Sequence, residues 1–431
     1  PTYVGWVNSQ GTGELTTAAS CSTAYGTTTS VAATAANRQT SCSGAVADNY
    51  AFSYVTGLVT VGKKNVDVTA SSHTVYYADA VPTVTASYDG FINGATSSVV
   101  GGMSCTTTYS STTSNVGTTP TTSCSSATAT DYSFSYTGGT VTINQKPITI
   151  TASSPTVTYG DAVPTISPIY TLANSQGSGA LSTQPTCVTT YTTTTHVADP
   201  VANRTTSCSG AAALNYAFSY ATGTVTVGRK GVTVTASSPT VTYGDPIPTI
   251  TPTYAGWVNG QSETLLTSPT SCSTAYTTTT AVNASTALRQ TICSGTVADD
   301  YSFTFPTGTV TVQKKNVAVT ASSHTVNYGD AVPTVSASYD GFINSATSSV
   351  VSGMSCTTTY AVTTNVGTTP TTSCASGTAT NYSFTYTAGT VTINQRPVTV
   401  TASSHTVQYG AAVPTVTASY SGFANSQTQS T

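Results

Sequence analysis

The sequence predicts an all-β protein, a tandem array of sandwich-like modules of about 84 residues. Three observations carry that prediction. Short runs rich in Val, Ile, Thr and Tyr alternate apolar and polar residues, the period of half-buried strands. Gly, Pro, Asp and Asn punctuate those runs. The same passages also recur along all 431 residues at nearly constant spacing. Helix formers are scarce, with Met occurring twice and Glu only at Glu14 and Glu263. A charged fraction of 6% and a net charge of −3 would fit a disordered chain. The strict alternation argues instead for packed β-structure.

Residues 132–166, YSFSYTGGTVTINQKPITITASSPTVTYGDAVPTI, contain the elements in order. Residues 132–136 alternate as a strand, and Thr137-Gly138-Gly139 reads as a hairpin turn. Val141 and Ile143 continue in a second strand, followed by the polar link Asn144-Gln145-Lys146-Pro147. Ile148 and Ile150 open the next unit, Tyr159-Gly160-Asp161 turns the chain, and residues 163–166 read as a further strand.

Equivalent junctions fall at Lys64, Lys146, Lys230, Lys315 and Arg396, with spacings of 82, 84, 85 and 81 residues. They divide the chain into a partial unit at 1–62, complete units at 63–145, 146–229, 230–313 and 314–395, and the opening of another at 396–431. Three units form a super-repeat, since Lys64, Cys21, Cys42 and Cys105 recur 251 residues later as Lys315, Cys272, Cys293 and Cys356. Neighbours that differ in this way are expected to swap strands less during folding. Residues 1–10 match 252–261, the middle of a unit, so the chain is expected to be a slice of a longer array. The competing expectation is that the two terminal pieces complete one another between molecules.

Ten cysteines form one pair per unit: Cys21/Cys42, Cys105/Cys124, Cys187/Cys208, Cys272/Cys293 and Cys356/Cys374. None has the short C-x-x-C spacing of zinc or redox sites. An even count in small, charge-poor modules predicts disulfides and an oxidising compartment. Closing each loop adds about 3 kcal/mol in the chain-entropy model.

Catalytic chemistry is not in evidence. His73, His324 and His405 share an SSHT position that holds Pro155 or Pro239 elsewhere, which no catalytic base would tolerate. His196 stands alone in a Thr-rich loop, and no G-x-S-x-G elbow occurs. Asp161, Asp245 and Asp330 each offer one carboxylate, whereas calcium takes several oxygens; a turn role fits better. The reading is therefore no enzyme, no cofactor and no metal. Without a basic balance nucleic acid is not expected as a partner, and no apolar run reaches the ~20 residues of a membrane span. Eight of the eleven cations sit at junctions: Lys63, Lys64, Lys146, Arg229, Lys230, Lys314, Lys315 and Arg396. They serve as solubilising charges at exposed links or as partners of turn aspartates such as Asp161. The links are too short for a flexible tether, which predicts a semi-rigid rod.

The Tyr-Gly-Asp turn, the following Val/Ile-Pro-Thr, the segment Tyr88-Asp89-Gly90-Phe91-Ile92-Asn93, and the closing Asn-Tyr-x-Phe with Gly-Thr-Val-Thr-Ile together resemble MBG repeats of the YGX type. Tyr77-Ala78-Asp79 departs by lacking the glycine and Tyr409-Gly410-Ala411 by lacking the aspartate. The resemblance implies mostly-β, β-grasp-like modules of large bacterial surface proteins and adhesins, and thus an extracellular stalk or fibre. It supplies no activity.

Two function classes follow. One is a structural repeat protein forming a fibre, stalk or filament at the cell surface, with self-association through open strand edges. The other is an adhesin whose Tyr and Thr rows bind surface glycan, a partner cell or ice. Tyr50, Tyr132, Tyr216, Tyr301 and Tyr382 precede Phe-containing strands and read as core or inter-sheet residues. The threonine tracts at 192–195 and 277–280 read as solvent loops open to O-glycosylation. Asn203, Asn283 and Asn381 head N-x-S/T sequons. Near-copied units without a distinct tip favour the structural class.

Overall fold

The computed structural model describes residues 1–430, which form two compact units. One comprises Pro1–Thr156, Val163–Thr192 and Pro200–Thr226, and the other Val157–Ala162, Thr193–Asp199 and the described residues from Val227 onward. Every helix among the described residues is a 3₁₀ turn of three or four residues.

In the first unit, the strands from Lys64 to Asn144 give the plan of a repeat. Its strands are β1 (Lys64–Ala70), β2 (His73–Tyr76), β3 (Ala86–Asp89), β4 (Ser104–Thr107), β5 (Thr121–Ser125), β6 (Tyr132–Thr137) and β7 (Gly139–Asn144). They form two sheets, in the orders β3-β1-β6 and β2-β7-β5-β4. Val66, Val68 and Ala70 of β1 point inward and are buried, while the residues between them are exposed, as period-2 alternation requires. Val68 and Ala70 pack with Cys124, Met103, Cys105 and Phe134 between the sheets. β4 and β5 are antiparallel with Cys105 opposite Cys124, and the disulfide joins them there. The unit also holds three strands of residues 1–62, at Ser20–Thr23, Gln39–Ser43 and Gly57–Leu58.

The second unit repeats the plan. Residues 314–395 pair as Ala337–Asp340, Lys315–Ala321 and Tyr382–Thr387 in one sheet. The other holds His324–Asn327, Gly389–Asn394, Thr371–Ala375 and Ser355–Thr358. In 230–313 the final strand is split into Gly308–Thr309 and Thr311–Gln313. All five cysteine pairs are bonded, as Cys21–Cys42, Cys105–Cys124, Cys187–Cys208, Cys272–Cys293 and Cys356–Cys374.

Two local expectations fail. Residues 137–139 do not close a hairpin: β6 and β7 belong to different sheets, and the chain crosses between them at Gly138. Neither glycine takes a positive φ. Glycine is needed at 139 because a Cβ would lie 2.7 Å from Thr122 Oγ1 and 2.8 Å from both Ala70 O and Ser72 Oγ. Gly223, Gly308 and Gly389 meet the same wall of main chain and hydroxyls. Nor do residues 163–166 form a strand, since Pro164 removes a ladder donor. The strand comes later, at Pro168–Ile169, and likewise at Ala418–Ser421 beyond Pro414.

Candidate functional site at the repeat junctions

The residues that recur without serving a repeat's own core gather where one repeat meets the next. The link is as short as a single residue at Gln145, between strands ending at Asn144 and beginning at Lys146, and at Lys314, between strands ending at Gln313 and beginning at Lys315.

In the first unit, four sets of contacts cross the junction at Gln145. Asn174, held at φ 54°, donates from Nδ2 to the Ser111 carbonyl at 3.0 Å. Asparagine tolerates this left-handed backbone better than most residues because its short amide can bond locally. Tyr77 of the turn meets Tyr216 edge-on at 5.5 Å between ring centres, and Gln176 bridges them, donating to Tyr77 Oη and accepting from Tyr216 Oη. Asn215 accepts the Val116 N–H at 2.9 Å and donates to Asn115 Oδ1 at 2.8 Å. Lys146 Nζ then lies 2.8 Å from Asp79 Oδ1. That hydrogen bond, with the Tyr76 N–H, holds the Asp79 carboxyl below its ordinary range. The preceding junction of the same unit uses Asn93 to the Thr27 carbonyl at 2.8 Å, and Asp131 accepting the Val31 N–H at 2.7 Å and the Ser30 hydroxyl at 2.6 Å.

The second unit repeats the pattern. Asn259, Asn344 and Asn425 are all left-handed and donate to the carbonyls of Thr193, Thr278 and Val362 at 2.9, 3.0 and 2.7 Å. Tyr159 meets Tyr301, and Tyr243 meets Tyr382, each edge-on at 5.6 Å. Val317, at the start of one repeat, packs in a single cluster with Tyr243 and Tyr276 of the repeat before. Asp300 accepts the Val197 N–H at 2.8 Å, and Asn381 accepts the Val282 N–H at 2.9 Å. His196 Nδ1 lies 2.5 Å from Asp300 Oδ2 and its ring stacks on Tyr159. The hydrogen bond to the Asp300 carboxylate raises the His196 pKa, against the opposing effect of burial.

The turn glycines belong to the same interface. Gly160, Gly244 and Gly329 have φ of 83°, 90° and 81°. A Cβ at each would lie 2.4 Å from Val258, 1.8 Å from Ile343 and 2.2 Å from Ala424 respectively, all in the following repeat. Ala78 replaces the glycine at φ 64°, and the residue at the facing position in the next repeat is the small Ala173; both pack on the Tyr77–Tyr216 cluster.

Of the residues singled out from sequence, Lys230 pairs with Asp161 at 3.3 Å and Arg396 with Asp330 at 3.0 Å, as Lys146 does with Asp79. Asp161 is lowered first by the Thr158 hydroxyl and main chain, then by Lys230. Lys315 and Asp245 form no ion pair among the described residues, nor does Lys64; Asp245 accepts the Thr242 N–H instead. Tyr132, Tyr216, Tyr301 and Tyr382 are buried, but Tyr216, Tyr301 and Tyr382 are buried against the preceding repeat as well as within their own. The threonine tracts are loops in which Thr192, Thr193, Thr194, Thr277, Thr278 and Thr279 are exposed, but their last residues are not. Thr195 and Thr280 are only 5% and 8% exposed, and the tracts supply the carbonyls that receive Asn259 and Asn344. His196 is not alone, because folding brings Asp300 to it across 104 residues. His73, His324 and His405 bond the hydroxyls of Ser71, Ser322 and Ser403. No three His, Cys, Asp or Glu side chains among the described residues cluster to hold a metal. The sequence assigned no junction role to the asparagines and glutamines, although the asparagine recurs in every unit and Asn93 stands in the segment that carries the resemblance.

Paired β-sheets closed by a disulfide and joined through a repeated interface define a tandem β-repeat protein. The chain belongs to the MBG domain (YGX type) family, whose model matches residues 66–142, 232–311 and 317–392, together more than half of its length. No curated protein sequence matches it. Among solved structures it is similar to the N-terminal eight Ig domains of the Down syndrome cell adhesion molecule (9% identity, 70% of this chain, TM-score 0.15), spanning 48% of that chain. It is also similar to immunoglobulin domains 1–4 of Sidekick-1 (6% identity, 64% of this chain and 82% of that one, TM-score 0.20). A third is Drosophila N-cadherin EC1-4 (8% identity, 64% and 83%, TM-score 0.21).

Proposed function

We propose that the chain is a non-enzymatic, extracellular structural repeat protein that forms a semi-rigid fibre, stalk or filament on or outside a bacterial cell. The observation that carries this reading is the return of one interface at successive junctions. An asparagine clasp recurs in both units, a tyrosine pair accompanies it at three junctions, and the single-residue links at Gln145 and Lys314 leave no flexible tether there. Adding a repeat then extends the chain without new chemistry, as in other nearest-neighbour arrays. A disulfide in each described cysteine pair fits an oxidising compartment. In this reading the repeats divide at residues 63, 146, 230, 314 and 396, with Lys64, Lys146, Lys230, Lys315 and Arg396 as the opening cations. Exposed strand edges provide the means for chains to associate laterally. Electron microscopy of native material tests it. Continuous fibres with a period commensurate with the repeat are expected, whereas isolated flexible strings ending in a globular tip would refute the fibre and favour an adhesin.

A further inference from the structure

The first and last strands of each repeat lie side by side and run parallel. Lys64 through Thr69 pair with Tyr132 through Thr137, and His73 through Tyr76 with Val141 through Asn144. The offset is 68 residues in both stretches, so the two ribbons stay in register as they cross together from one sheet to the other. In the second unit, Lys230 pairs with Tyr301 and Thr240 with Thr311, both at 71 residues. Lys315 pairs with Tyr382 and His324 with Val391, both at 67.

The ribbons traverse the repeat from end to end rather than doubling back. Val317, near the start, packs on Tyr243 of the repeat before. Val319 and Ala321 lie in the middle cluster with Cys374, and Val326 and Tyr328 pack in a third cluster with Tyr360 and Ile393. The inward face also changes parity between Ala70 and Ser71, as a strand does when it continues into the opposite sheet. The chain therefore enters at the start of one ribbon and leaves at the far end of its partner.

We infer that this pairing is a shear clamp that resists tension along the chain. Pulling on the chain ends draws the two ribbons past each other along their length. The hydrogen bonds of the parallel ladder run across that direction and are loaded together, so they must fail together. A pull applied at one end of both ribbons would instead open the pairs in succession. The disulfide sits outside the clamp, on β4 and β5, and keeps the residues between Cys105 and Cys124 from extending after rupture. The clamp deepens the reading of the chain as a structural array under load. It is a property of single repeats, however, and stands or falls separately from fibre formation.

Single-molecule force spectroscopy on the purified full chain tests it, with forced unfolding governed by the unfolding barrier. Pulled from its two ends, each complete repeat should release about 170 Å with the disulfide intact and about 240 Å under reductant, at roughly 3.5 Å per extended residue less a folded span of about 40 Å. Those increments identify the events as repeats. In a second geometry, handles on residues 62 and 130 pull the starts of both ribbons of the 63–145 repeat apart. A rupture force several-fold higher from the chain ends than from this peeling geometry is expected. Equal or lower force from the chain ends would overturn the clamp, whatever native material shows in the microscope.

Discussion

Replacing Gly244 with alanine should open one junction and leave the others closed. Gly244 stands at φ 90°, where an L side chain costs about 1–2 kcal/mol. Its new Cβ would fall 1.8 Å from Ile343 Cδ1 across the junction. Overpacking of that kind typically costs about 1–3 kcal/mol after the neighbour adjusts. The backbone strain persists whether the junction is open or closed, so only the steric part shifts that equilibrium, and at tenfold per 1.4 kcal/mol the open population rises about 5-fold or more. Trypsin reads this directly, because Lys314 is the link residue and Lys315 opens the following strand. Where reclosing outpaces cleavage, nicking tracks the open population. Nicking at Lys314 and Lys315 should accelerate accordingly, while the link at Arg229 serves as an internal reference and stays slow. Adding Ile343→Ala removes the steric part and should recover much of the protection, as the small pair Ala78 and Ala173 does at its own junction. Nicking at the unaltered rate, or a double variant no better than Gly244→Ala alone, would refute the junction role of this glycine.

Other junctions make separate predictions. The His196 pKa is raised by Asp300, so the stability it adds is full below the ordinary histidine value of about 6.5 and is lost as pH rises through the raised value. An NMR titration of the His196 ring should show that upward shift and lose it in Asp300→Asn; an unshifted midpoint would contradict the pairing. Asp79 is lowered by Lys146, so its contribution is present above the ordinary carboxylate pKa and disappears as pH falls through the depressed one. Because both side chains are about one third exposed, Lys146→Met should cost only about 0–1 kcal/mol in urea denaturation, and a loss well beyond that would show the ion pair to be underrated here. Asn259→Ala removes the bond to the Thr193 carbonyl, worth about 1 kcal/mol, and strains a left-handed residue. Asn259→Gly should be milder, since it loses the bond but not the backbone freedom; the reverse order would argue against this account.

The strands were legible because alternation is local. Val66, Val68 and Ala70 announce their inward face through residue type alone. The cysteine pairs were legible because one pair recurs per unit, and the structure sets Cys105 opposite Cys124 in adjacent strands. Sheet membership was not. Thr137-Gly138-Gly139 has the composition of a hairpin turn, and only the approach of Thr122 and Ala70, distant in sequence, shows that glycine is there for space. The junction was half legible. Its cations stood out in a charge-poor chain, and three of them meet turn aspartates. Asn259 and Asp300 were hidden because each bonds a partner 66 or more residues away, in a neighbouring repeat. Threonine tracts look like solvent loops, and most of their residues are exposed, but folding buries Thr195 and Thr280 and turns the Thr193 and Thr278 carbonyls to the next repeat.

Successive repeats meet in ordered interfaces, and hydrogen exchange at four amides can read that order residue by residue. The N–H groups of Val31, Val116, Val197 and Val282 lie outside every strand and donate across junctions to Asp131, Asn215, Asp300 and Asn381. Nothing in their own repeats' strand ladders protects them. In the full chain they should exchange slowly, at rates approaching those of the neighbouring strands, and should speed up selectively when the matching acceptor is replaced by alanine. Exchange at the rate of an unstructured peptide in the intact chain would contradict the account.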